Sequence, residues 1–178
     1  MEKMIVLLRG INVGGNRKVP MAALRNAARA AGLDDIETYI QSGNLLFTAK
    51  SPADAEARIE ALIEAEFGFP VEAIARSAAS WADYAAGSPF PEAEADRPNL
   101  IHLGLSKQAP KDGIAETLHA RAKHGERVVV AGDAIWIDYG GGVADSKLSP
   151  VVIDRAVGST VTMRNWRTVL KLAEMAAD

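Results

Sequence analysis

Between Arg9 and Lys18 the chain places three glycines (Gly10, Gly14, Gly15), three cations (Arg9, Arg17, Lys18) and two asparagines (Asn12, Asn16), with no carboxylate. Glycine lets a ligand come close to backbone N–H groups, and Arg and Lys supply positive charge to oxygen anions. The chemistry such a stretch can do is to hold an anion. Gly10 and Gly15 have the spacing of a phosphate-binding P-loop, but Asn16-Arg17-Lys18 follows where Lys-Ser/Thr is needed. The next helix opens only at Pro20, too late for its N-terminus to face the loop. No G-x-G-x-x-G is present, so a dinucleotide fold has no support. The competing reading is a wide structural turn whose glycines need positive φ.

Charge placement favours the ligand. Six cations and no acid lie between Lys3 and Leu33, and four cations and no acid between Arg155 and Leu172, although the net charge is −3. Acidic residues gather instead in 54–66 and 92–96. Three further polar stretches lie at strand ends or helix starts. These are Gln41-Ser42-Gly43-Asn44, the passage Gly140-Gly141-Gly142 leading to Asp145-Ser146-Lys147, and Arg164-Asn165 at the entry to the last helix. The amides of the first can satisfy their own backbone, and Asn165 can act as a plain helix cap.

Catalytic sets are sparse. His102, His119 and His124 lack metal-ligand spacing, and there is no cysteine to hold zinc, form a disulfide or act as a nucleophile. No G-x-S-x-G elbow exists for a hydrolytic serine. Asp138 and Asp145 are the candidates for a base or a Mg²⁺ ligand beside a phosphate, with hairpin and loop duty as the simpler role. With 6% aromatic residues, base stacking has few platforms, and Trp136 and Trp166 suit core anchoring better.

The elements that must position these residues follow from periodicity. Met4–Leu8 reads as a buried strand, and Met21, Leu24, Ala28 and Ala31 mark a helix closed by Gly32. The segments 36–41 and 44–48 read as strands joined by a two-residue Ser42-Gly43 turn. Ser51-Pro52-Ala53-Asp54 is a capping-box pattern opening a helix to Phe67, and 71–76 is a short strand. That is β-α-β-β-α-β, the split arrangement of ferredoxin-like folds. Residues 77–86 are expected to form a connecting helix and 87–98 a linker, with three prolines and three carboxylates. The order then repeats: strand 99–105, helix 112–123, strands 127–131 and 134–139 around Gly132-Asp133, helix from Ser149 to Gly158, strand 159–163 and helix 165–176. The expected class is therefore α+β, two ferredoxin-like βαββαβ halves in one chain plus a C-terminal helix. Residues 1–76 form the first half, 77–98 the connecting helix and linker, and 99–178 the second half with the terminal helix. With 48% apolar and 24% charged residues, the composition is that of a globular protein. The absence of a signal-like N-terminus, a long apolar run and cysteine points to a cytoplasmic protein without a membrane partner.

The motifs Leu8–Asn16 with Lys18–Met21, Thr38–Asn44, Ser146-Lys147-Leu148 and Thr162–Val169 together resemble the bacterial domain-of-unknown-function family 1697, in order through nearly the whole chain. The resemblance implies an α+β fold of two related halves in a cytoplasmic bacterial protein, and brings no established activity, cofactor or catalytic residue. Arg167 and Met163 depart from the family's pattern, which carries Asn and Thr there more often.

The function expected is binding of a phosphorylated or other anionic small ligand, such as a nucleotide. Arg9, Asn12, Gly14, Gly15, Asn16, Lys18, Gln41, Ser42, Asn44, Lys147, Arg164 and Asn165 would form the site, with no metal, no named cofactor and no assigned catalytic residue. The alternatives are Mg-dependent phosphoryl or nucleotidyl transfer or hydrolysis, and a non-catalytic module for nucleic acid or protein.

Overall fold

The computed structural model describes residues Met1–Asp178, which divide into two units: Met1–Asp83 with Leu172–Asp178, and Tyr84–Lys171. The first unit is organised by β1 (Glu2–Leu8), whose residues from Met4 onward are all buried, as a continuous apolar run requires. Strand β1 pairs antiparallel with β3 (Asn44–Ala49) on one side and with β4 (Ala73–Ser77) on the other. Strand β2 (Glu37–Tyr39) extends the sheet, giving the order β2-β3-β1-β4. Helices α1 (Met21–Ala30) and α2 (Pro52–Phe67) cover the face that presents Met4, Val6, Leu8, Leu45 and Phe47, closing a core with Leu24, Ile59 and Ile63.

Local chemistry sets the ends of these helices. Pro20 sits just before α1 as its N-cap rather than inside it, with ψ at 128°. Beyond Ala31, Gly32 takes φ +84° and its N–H reaches the Arg29 carbonyl, while the Leu33 N–H reaches that of Ala28. This is a Schellman closure that turns Leu33 into the core. Ser51 caps α2, its hydroxyl accepting from the Asp54 N–H at 3.2 Å. The Asp54 carboxylate reaches back to the Lys50 N–H, one residue beyond the Ser51 N–H that a full capping box would use.

The second unit repeats the arrangement. Strand β5 (Ile101–Ser106) is central, paired antiparallel with β7 (Ala134–Asp138) and β8 (Val161–Asn165), and β6 (Arg127–Ala131) lies outside β7. The order β6-β7-β5-β8 is that of the first sheet, position for position. Helices α5 (Ile114–His119) and α6 (Pro150–Val157) pack Leu118, Ile153 and Val157 against Val128, Ile135 and Ile137. Helix α7 (Trp166–Ala177) follows β8 directly. The protein is thus α+β, with two ferredoxin-like halves and a C-terminal helix.

Two expectations change. The 87–98 segment is not a bare linker: after α3 (Ala78–Ala85) it forms the short helix α4 (Pro91–Asp96) and buries Phe90 and Ala93. Helix α5 spans six residues rather than the twelve of 112–123, because Gly113 takes φ +84° at its start and the chain turns from Ala120 onward. No helix is long and apolar enough to cross a membrane.

Replacing the Ser51 cap with alanine should cost about 1 kcal/mol of stability, by leaving the Asp54 N–H without its acceptor. Chemical denaturation of Ser51→Ala against the unaltered chain measures it.

Candidate functional site

The glycine-rich stretch leaves the end of β1 as a miniature hairpin. The Asn12 N–H bonds the Arg17 carbonyl at 3.1 Å, and the Asn16 N–H bonds the Val13 carbonyl at 3.2 Å. Gly14 and Gly15 occupy the two central turn positions with φ +61° and +76°. Positive φ at both central positions defines a type I′ turn, which is why two glycines stand together. The neck is fixed by burial of Ile11 and Val19, while 13–18 are exposed.

Asn12 fastens this hairpin to its neighbour. Its side-chain amide donates to the Val19 carbonyl at 3.0 Å and to the Gln41 carbonyl at 2.7 Å, and its oxygen accepts from the Val19 N–H at 2.8 Å. Gln41 lies in the β2–β3 connection. The register pairs Tyr39 with Asn44, so this connection has four residues, 40–43, rather than the two expected at Ser42-Gly43. Fully buried Asn44 organises it, donating from Nδ2 to the Tyr39 carbonyl at 2.9 Å and to Ser42 Oγ at 3.1 Å. Gly43 presses against the hairpin base: a Cβ there would lie 2.7 Å from Leu8 Cβ and 2.8 Å from Ile11 Cδ1. Its carbonyl accepts the Leu8 N–H at 2.8 Å.

Arg17 braces the other side. Its guanidinium donates to the Pro70 carbonyl at 2.6 Å and stands 5.9 Å over the Phe69 ring. The Arg9 N–H bonds the Glu72 carbonyl at 3.0 Å. Asn12, Arg17 and Ile40 are the chain's three non-glycine residues with positive φ, at 55°, 49° and 49°, and all belong to this assembly. For a β-branched residue such as Ile40 that backbone is a true outlier. Lys18 is exposed and makes no ion pair, and Val13 and Ile40 are 69% and 49% exposed.

Nine candidate residues therefore lie in the hairpin and its brace: Arg9, Asn12, Gly14, Gly15, Asn16, Lys18, Gln41, Ser42 and Asn44. The other three belong to the second unit. Lys147 is exposed in the loop before α6. Arg164 is buried, its Nη1 donating to Thr162 Oγ1 and the Met163 carbonyl, both at 2.8 Å. Asn165 caps α7, its Oδ1 accepting from the Thr168 N–H at 3.0 Å.

The second unit places Asp138 in a structural role. Asp138 is 1% exposed and accepts from Arg97 through both oxygens, at 3.1 and 2.7 Å, and from Arg127 at 3.1 and 2.6 Å. Arg127 also pairs with Glu92 at 2.6 Å and stacks 4.6 Å over Phe90. Burial alone would push the Asp138 carboxyl up, but the hydrogen bonds from the two guanidiniums outweigh it and hold it low. Four guanidinium hydrogen bonds commit this carboxylate to a structural role. Asp133 accepts from the Tyr84 hydroxyl at 2.6 Å, and Asp145 is exposed.

Glu126, which no sequence motif marks, organises the glycine passage 140–146. It accepts from the Ser146 hydroxyl at 2.6 Å and from the His124 and Lys123 N–H groups at 2.8 and 3.1 Å. Burial pushes its carboxyl up, but these donors together prevail and lower it to about 2. Ser146 Oγ in turn accepts the Leu148 N–H at 3.1 Å. Gly141 must be glycine, because a Cβ there would stand 2.4 Å from the His124 carbonyl. Burial, with the Glu126 charge nearby, raises the Tyr139 hydroxyl to about 12, so it stays a donor to the Leu148 carbonyl at 3.4 Å.

Comparison with known proteins gives one family and one fold. The model of the family described as "Protein of unknown function (DUF1697)" matches residues 1–136. Conserved bacterial protein SP0830 from Streptococcus pneumoniae has a similar solved structure, with a TM-score of 0.73 and 24% identity over 98% of each chain. That likeness speaks for the fold alone. No curated protein matches the chain.

Asn12→Ala should cost about 1–3 kcal/mol. It should also strip hydrogen-exchange protection from the Val19 amide while sparing the amides of β1. Glu126 has its pKa lowered on folding, so its contribution is complete above about 4.5 and is lost as pH falls towards about 2. The gap in urea midpoint between Glu126→Gln and the unaltered chain should therefore be open at pH 7 and close across that window.

Proposed function

The chain belongs to the DUF1697 family, and from that footing we propose that it is a binding protein for a phosphorylated or otherwise anionic ligand, held at the glycine hairpin of its first half. One observation carries the reading: all three non-glycine residues with positive φ fall in the hairpin and its brace. Left-handed backbone at non-glycine residues costs about 1–3 kcal/mol each and persists where the surroundings over-determine it, typically at ligand clamps. Here the surroundings are the Asn12 clamp, the Arg17 brace and the packed Gly43. A turn needed only to change chain direction would require none of this.

The held shape suits an anion. Gly14 and Gly15 have open space where side chains would be, so a ligand can reach the outward N–H groups of the turn. Lys18 adds an ammonium that no carboxylate neutralises, in a stretch without acids from Lys3 to Leu33. Binding is favoured over phosphoryl transfer because the guanidiniums of Arg97 and Arg127 occupy Asp138, the more buried of the two candidate bases.

Calorimetric titration with pyrophosphate, ATP and a short single-stranded oligonucleotide, in phosphate-free buffer, tests the reading. Saturable heat is expected with at least one probe, weakened several-fold in Lys18→Gln. Silence from all three, or an unchanged affinity in Lys18→Gln, overturns it. If the oligonucleotide alone binds and loses affinity steeply with salt, the ligand is a nucleic-acid backbone.

A further inference from the structure

The two helices of each ferredoxin-like half leave a cleft between them, and the two clefts differ in charge. In the first half it is lined by Leu33, Arg58 and Leu62, with two alanines, and holds one guanidinium. In the second half it lies between α5 and α6, is open on one side with a volume of about 160 Å³, and is lined by Thr117, Leu118, Arg121, Val152, Arg155 and Ala156. Its floor is apolar, formed by fully buried Leu118 with half-buried Val152 and Ala156. Arg121 and Arg155 come from opposite sides, one just beyond α5 and one in the last turn of α6. Both are exposed, neither guanidinium forms an ion pair or hydrogen bond within the chain, and no acidic residue lines the cleft. The Thr117 hydroxyl is turned away, donating to the Gly113 carbonyl at 2.9 Å.

We propose that this cleft binds a small carboxylate with a compact apolar body, the carboxylate lying between Arg121 and Arg155 and the body resting on Leu118, Val152 and Ala156. Charge complementarity selects the head: a guanidinium presents a planar fork of donors that fits a carboxylate, and here two such forks flank one opening. Size selects the body, since an apolar cavity of about 150 Å³ holds a benzene ring. A bare inorganic anion would leave the apolar floor wet. A neutral hydrocarbon would leave both guanidiniums unused. This site shares no residue with the glycine hairpin, and stands or falls independently of it.

The test is titration of the ¹⁵N-labelled full chain with benzoate and, separately, with benzamide, which has the same ring and no charge. Benzoate should shift the amides of 117–122 and 150–157 saturably, and benzamide should bind at least about tenfold more weakly. Arg121→Gln and Arg155→Gln should each weaken benzoate by about tenfold while leaving the rest of the spectrum in place. Equal affinity for benzamide, shifts confined to other segments, or unchanged benzoate affinity in both variants overturns the proposal. The benzoate–benzamide comparison uses the unaltered protein, so it decides the matter even if a variant folds poorly.

Discussion

The side chain of Asn12 is the joint on which the glycine hairpin of the first half depends. One planar amide closes the neck of the glycine hairpin through Val19 and ties it to the β2–β3 connection through Gln41. Without that joint, two glycine-containing loops would each explore many conformations, because glycine gives the unfolded backbone its greatest freedom. With it, they hold a single shape that includes three strained non-glycine residues. Asn suits the post twice over: its amide both donates and accepts, and it tolerates the left-handed backbone that this corner imposes.

The duplicated fold does not duplicate this device. In the first half the glycine hairpin occupies the connection from β1, the first central strand, to α1. In the second half the glycine passage occupies the connection from β7 to α6. Since β7 runs antiparallel to β5, the equivalent of β1, that passage leaves the opposite end of its sheet. The organiser differs as well: a neutral amide in one half, the buried carboxylate of Glu126 in the other. The two halves share a topology and have diverged in where their loops are held and by what.

Charge burial explains where the carboxylates went. A buried ion requires partners, since desolvation costs several kcal/mol unless good hydrogen bonds offset it. Asp138 meets that condition with two arginines, and Glu126 with two backbone N–H groups and a hydroxyl. Both are thereby fixed in the ionised form and committed to structure. Arg121 and Arg155 have no such duty and line a cleft in place of completing an ion pair.

Periodicity along the chain by itself determined the element order, the two βαββαβ halves and the core faces, since alternation and helical spacing are local properties of neighbouring residues. The run Met4–Leu8, the Ser51 cap and the Gly132-Asp133 turn are legible for that reason. So was the interest of the glycine loop, from its composition. Only the tertiary structure decided what that loop is: a type I′ hairpin, tied to Gln41 and braced on Pro70 by residues 29 and 53 positions away in the chain. It also decided that Asp138 is consumed by Arg97 and Arg127, that Glu126 is an organiser, and that 87–98 is packed rather than loose. Each of these rests on hydrogen bonds or burial between segments far apart in sequence, and no local pattern encodes which distant partner a side chain will meet.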